Sequence, residues 1–176
     1  MRKVTRVALA LAGSAALIGV TTVPSFAATD STPVTVAVVT GDLSIAAPSA
    51  TTALTAAAPG ATSTTTLGDT VVTDARAGTD GWIADVTLPA LTGTSPSTVT
   101  IPTTDATYTA GTATKTGTVT VTAATVITGL DSAKTSQTAT AVTGNHTATW
   151  AASLTVKMPT DVLGDTYSGT LTQSVL

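Results

Sequence analysis

The chain has 176 residues, 10 acidic side chains that are all Asp, 7 Lys and Arg, a formal net charge of −3, and no cysteine. That size suits one domain with a real core, and the acidic balance speaks against nucleic acid or an anionic membrane surface as partners. With no disulfide available, burial and backbone hydrogen bonding must hold the fold.

The first residues read as an export address. Arg2, Lys3 and Arg6 form a positive start, Val7–Val20 is an apolar run, and Ser25 and Ala27 have the small-residue spacing that a signal peptidase accepts. The expectation is a signal peptide over residues 1–27, cleavage after Ala27, and a single mature domain from Ala28 to Leu176. The apolar run is broken by Gly and Thr and is shorter than the roughly 20 residues of a membrane span, so no membrane association is expected once it is removed. Arg76, Lys115, Lys134 and Lys157 are then the remaining cations, leaving a net charge of about −6.

Thr makes up about a quarter of the chain, and Thr and Val carry branched side chains that fit a pleated sheet and are penalised in helices. In chain order, strands are expected at Pro33–Val39, Leu43–Ala47, Gly68–Ala75, Gly81–Leu88, Ser97–Ile101, Gly117–Ile127, Ser136–Val142, His146–Met158 and the closing stretch from Tyr167. Gly41-Asp42 and Gly144-Asn145 have the composition of hairpin turns. Ala47–Thr66, low in bulky residues and interrupted by prolines, reads as a loose connection, with O-linked sugar as the alternative. The fold class expected is all-β, an antiparallel β-sandwich of about eight or nine short strands preceded by the signal peptide.

Catalytic signals are weak. His146 is the single His, and no Gly-x-Ser-x-Gly elbow accompanies it, so no enzyme activity and no catalytic residue are expected. Asp69, Asp74, Asp80 and Asp85 are close in sequence but match no calcium-loop spacing, so neither a metal nor a cofactor is expected. Alternate threonines from Thr112 to Thr122 resemble one row of an ice-binding face, and a single row is what the exposed side of any Thr-rich strand presents. Leu88–Gly93 has one residue too many for a sortase signal, so covalent wall attachment is not expected.

One stretch concentrates unusual residues: "TDARAGTDGW", Thr73–Trp82, holds the single Arg beyond the export address and one of two Trp. With its approach "LGDTVV", it resembles the WxL domain family of surface proteins: Val72, Asp74 and Arg76 fit a V-x-D-x-R element, and Gly81-Trp82 the Gly-Trp that follows. Asp42–Pro48 and Met158–Thr172 resemble the family's flanks, so the likeness spans most of the mature chain. The chain departs from the pattern at both signature positions, with Trp82-Ile83-Ala84 at the first and Gln173-Ser174-Val175 at the second, as in a divergent relative.

The resemblance implies an exported, cell-surface domain that associates non-covalently with Gram-positive cell-wall peptidoglycan, its partners being wall polysaccharide or other surface proteins. Asp74, Arg76, Trp82 and Tyr167 are the candidate wall-binding or loop-fixing residues. Arg76 is expected to pair with Asp74 or lie on the Trp82 face. The alternative is a fimbrial or surface-fibre subunit that donates its N-terminal strand, Thr32–Val39, to a neighbour's sheet.

Overall fold

The computed structural model describes residues 31–48, 52–94 and 99–176; the expected signal peptide lies outside them. Contacts divide the chain into the units Met1–Val36 and Ala37–Leu176. Of the first unit, residues 31–36 are described: they form no strand, and Val34 and Val36 are 90% and 88% exposed.

The second unit is all-β and antiparallel, as its composition anticipates, and no helix occurs among the described residues. Its strands are β1 (Leu43–Ala46), β2 (Thr62–Asp74), β3 (Trp82–Thr87), β4 (Leu91–Gly93), β5 (Thr100–Ile101), β6 (Thr107–Ala110), β7 (Thr114–Ala123), β8 (Ile127–Thr128), β9 (Lys134–Lys157), β10 (Tyr167–Ser168) and β11 (Thr172–Val175). Eight of them make one sheet along β1-β2-β9-β3-β11, with β6, β7 and β8 branching from it; β10, β4 and β5 make the other. The larger sheet curls until β11 comes near β1 without pairing to it, so it is almost a closed barrel.

Strand β9 organises this shape. Its first part pairs with β3 on one edge and β7 on the other; its second part pairs with β2 on one edge and with β7 and β6 on the other. The turn expected at Gly144-Asn145 is therefore corrected: the chain runs through it as one 24-residue strand. Ala141 and Gly144 take left-handed backbone angles, φ 51° and 68°. Such residues suit a hairpin, but they equally make bulges that bend a strand and reset its alternation, and long partners on both edges favour the second outcome.

Other expectations shift for related reasons. Gly41 and Asp42 make no hairpin, because the Gly41 amide donates to Ala75 and the Ala75 amide to Asp42, prolonging the β1–β2 ladder. Pro33–Val39 consequently has no partner strand among the described residues and is not one itself, despite its valine alternation. Strand β2 begins at Thr62, inside the stretch read as a loop, because Thr62–Leu67 finds Ala152–Lys157 of β9 opposite. Of Ser97–Ile101, Thr100 and Ile101 form β5, and Ser97 and Thr98 lie outside the described residues.

The core follows from period two. Val72, Trp82, Ala84, Val86, Tyr108, Ala148, Trp150, Leu154 and Val156 point inward, and Leu91 and Ile101 of the smaller sheet join the same cluster. Fully burying an aliphatic side chain of this kind contributes about 1.5–3 kcal/mol, so this lining carries the fold.

Candidate functional site

Asp74 is the last residue of β2 and sits opposite His146 of β9, which turns its carboxylate into the end of the barrel, where it is 2% exposed. Arg76 then doubles back on it. Its backbone amide donates to Asp74 Oδ1 at 3.0 Å, Nε to Oδ1 at 3.0 Å, and a terminal nitrogen to Oδ2 at 2.7 Å. The same terminal nitrogen reaches the carbonyls of Asp80 and Gly81 at 3.2 and 3.1 Å. One guanidinium therefore closes the whole loop between β2 and β3. The Arg76 side-chain hydrogen bonds, helped by its backbone amide and charge, hold the Asp74 carboxyl below its usual range, against burial acting in the other direction. Arg76 is correspondingly raised, first by its hydrogen bond to Asp74.

Trp82, the first residue of β3, is 2% exposed. Its ring runs nearly parallel to those of His146 and Trp150, with centroids 6.4 Å from each. The indole Nε1–H donates to His146 Nε2 at 2.9 Å, and His146 Nδ1 lies 3.3 Å from the Gly144 carbonyl. Accepting at Nε2 requires a neutral ring with its proton on Nδ1, donated to Gly144. Both ring nitrogens are thus engaged. His146 Nε2 also lies 3.9 Å from Asp74 Oδ2, which places the Trp82–His146 pair beside the Asp74–Arg76 loop without a hydrogen bond between them.

A second network ties β11 into the interior. Trp150 Nε1 donates to the Tyr108 hydroxyl at 3.3 Å, Tyr108 donates to Gln173 Oε1 at 3.3 Å, and Thr70 donates to the same oxygen at 3.1 Å. Burial pushes the Tyr108 phenol up. Gln173 stands where the second Trp-x-Leu of the resembled family would begin, and here it works as an internal acceptor. Asp85 Oδ1 and Gln137 Oε1 are buried without a hydrogen-bond partner among the described residues.

Three of the four candidate residues therefore meet, but inward: Asp74 and Trp82 offer almost no surface, and the Arg76 guanidinium is occupied by the loop. Tyr167 lies apart in β10, paired with Gly93 of β4, its hydroxyl donating to the Leu163 carbonyl at 3.1 Å. Among the described residues no group of three or more His, Asp or Glu side chains is placed to hold a metal.

What the sequence analysis did not assemble is the outer face above this cluster. Outward positions of β2, β9 and β6 or β7 stand side by side in register: Thr64, Thr155 and Thr107 in one row, Thr66, Ser153 and Thr109 in the next, and Thr73, Thr147 and Thr116 further along, with Thr149 beside Thr114. Neighbours across strands are about 4.8 Å apart and successive rows about 6.8 Å. The hydroxyls of Thr64 and Thr155 bond at 3.0 Å and those of Thr116 and Thr147 at 2.7 Å, each pair keeping spare donor and acceptor capacity. A depression of about 220 Å³ bounded by Thr73, Asp74, Thr116, Asn145, His146 and Thr147 ends the array. Gly117, φ 72°, permits it: a Cβ there would lie 2.5 Å from the Asn145 carbonyl oxygen. Each strand's threonines are visible in the sequence; their alignment follows only from β9 being one continuous strand.

Compared with known protein families, characterised proteins and solved structures, the chain matches none.

Proposed function

We propose that this is a secreted cell-surface protein that associates non-covalently with Gram-positive cell-wall polysaccharide, with the threonine face rather than Trp82 as its contact surface. The observation that carries this reading is the array of aligned hydroxyls, three strands wide, ending in the depression beside Asn145. An acidic protein gains nothing from charge attraction to an acidic wall, so its contacts must be hydrogen bonds and methyl packing. Threonine supplies both, and rows repeating at sheet spacing suit an extended, hydroxyl- and amide-bearing polymer better than a small molecule, which binds where it is enclosed. The resemblance to WxL domains and the export signal point to the same location and partner.

Individual hydroxyl contacts contribute about 0.5–1.5 kcal/mol each, so binding is spread over many weak bonds. The test is sedimentation with insoluble peptidoglycan. Replacing Thr114, Thr116 and Thr147 together by Val keeps shape and strand preference and removes three hydroxyls; the bound fraction at fixed sacculus concentration is expected to correspond to an affinity at least about tenfold weaker. A wild-type protein that stays in the supernatant defeats the reading.

A further inference from the structure

Val34, Val36, Val38 and Val39 are 90%, 88%, 78% and 88% exposed, within a run, Thr32–Val39, that contains no charged residue. Solvated loops are seldom built this way: the alternation is that of a half-buried strand, yet residues 31–42 form none. A strand pattern without a strand requires an edge to pair with.

Such an edge exists on the same molecule. Strand β1 pairs only with Val71–Asp74 of β2, so among the described residues no strand covers the outer edge of β2 over Thr62–Thr70. Beneath that edge opens a groove of about 750 Å³ whose apolar lining includes Leu67, Leu91, Ile101, Leu154, Met158 and Leu171. Nine residues of edge without a partner strand match the eight of Thr32–Val39, about 26 Å of extended chain, with Pro48 and Leu54 forming the groove's far wall. The strandless segment 52–59 flanks the edge, touching it where the Ser63 hydroxyl donates to the Thr55 carbonyl.

We infer that the protein assembles with copies of itself by strand addition: Thr32–Val39 of one copy pairs along Thr62–Thr70 of the next and sets Val34, Val36 and Val38 into the groove. Backbone bonds give the register, and alternate valines give the fit. A second copy is the occupant, because within one chain the hairpin that would fold Thr32–Val39 back beside β1 is absent, Gly41 and Asp42 being bonded to Ala75 instead. Donor and acceptor are different surfaces, so the contact is heterologous and propagates into chains unless the rotation closes a ring. Thr65 and Leu67 line the groove, whereas Thr64 and Thr66 of the same strand turn to the opposite, threonine side, so the valines and the wall polymer would use different sides of β2.

The test is light scattering after size exclusion, on the secreted protein at rising concentration. Wild type is expected to show masses in successive multiples of the monomer. Val34→Asp, Val36→Asp and Val38→Asp together change only exposed positions, and this variant is expected to remain monomeric with an unaltered thermal midpoint. Leu171→Glu, in the groove, is expected to be monomeric as well, and mixing it with the valine variant should restore a single one-to-one dimer, each supplying what the other lacks. An excess of synthetic peptide of residues 31–40 should dissolve wild-type oligomers, a check that does not depend on a groove variant folding. Monomeric wild type at every concentration, oligomers that survive the valine changes, or a monomer whose midpoint falls with them, as when the segment docks on its own chain, would each overturn the inference.

Discussion

The closed end of the barrel and the outer threonine face use polar side chains in opposite ways. At that end Asp74, Trp82 and His146 are buried and Arg76 is held by the loop, so their hydrogen bonds go to other residues of the same chain. On the face, the Thr64 hydroxyl bonds that of Thr155 and Thr116 that of Thr147, and both pairs keep capacity for something outside. The rare residues of this chain hold it together, and its commonest residue faces outward. Chemical distinctiveness in a sequence is therefore no guide to contact with a partner: a lone Arg or Trp in a threonine-rich chain is the residue that an internal lock needs.

Substitutions should separate the two regions, beginning with the largest effect. Trp82→Ala leaves a cavity in the core beside Trp150 and an unpaired His146 nitrogen, and is expected to cost about 3–5 kcal/mol in urea unfolding. Arg76→Met leaves the Asp74 carboxylate buried without its partner, for a loss of about 2–3 kcal/mol. Gly117→Ala must relieve a left-handed backbone and a contact with the Asn145 carbonyl oxygen; a loss of about 1–3 kcal/mol is expected, together with distortion of the depression. Thr147→Val on the face should change stability by no more than about 0.5 kcal/mol while weakening peptidoglycan binding. Cost in folding and cost in binding are thus expected to run in opposite order.

Acid sharpens the same contrast. Because the folded Asp74 carboxyl is held below its unfolded value of 3.8, the pair stabilises the protein fully above that value, and this contribution disappears as pH falls through the lower, folded value. Thermal midpoints measured across this acid window should fall in the wild type and fall less steeply in Asp74→Asn, which starts lower at neutral pH and has no such proton to gain.

Much of the fold was legible because Thr, Val and period two leave little choice but β, and the strand expected at His146–Met158 is present, with His146, Ala148, Trp150, Ala152, Leu154 and Val156 buried. The turn at Gly144-Asn145 was not, since a positive φ serves a bulge as well as a hairpin, and only the partners on both edges of β9 decide between them. The valines of Thr32–Val39 teach the complementary lesson: alternation marks a segment able to pair, and says nothing of whether its own chain provides the edge. The Asp74–Arg76 lock was one of two arrangements expected of Arg76, the other being the Trp82 face, and the buried Asp74 carboxylate decides for the first. The threonine face could not be read from the sequence, because its rows come from residues as far apart as Thr73, Thr116 and Thr147, brought side by side by one continuous strand.

The most direct measurement compares peptidoglycan sedimentation of wild type, the Thr114→Val, Thr116→Val, Thr147→Val triple variant and Trp82→Phe, each at a temperature where it is fully folded. The account predicts that the triple variant is left in the supernatant while Trp82→Phe sediments like wild type. Retention of binding by the triple variant with loss in Trp82→Phe would contradict it, and would return the contact surface to the indole.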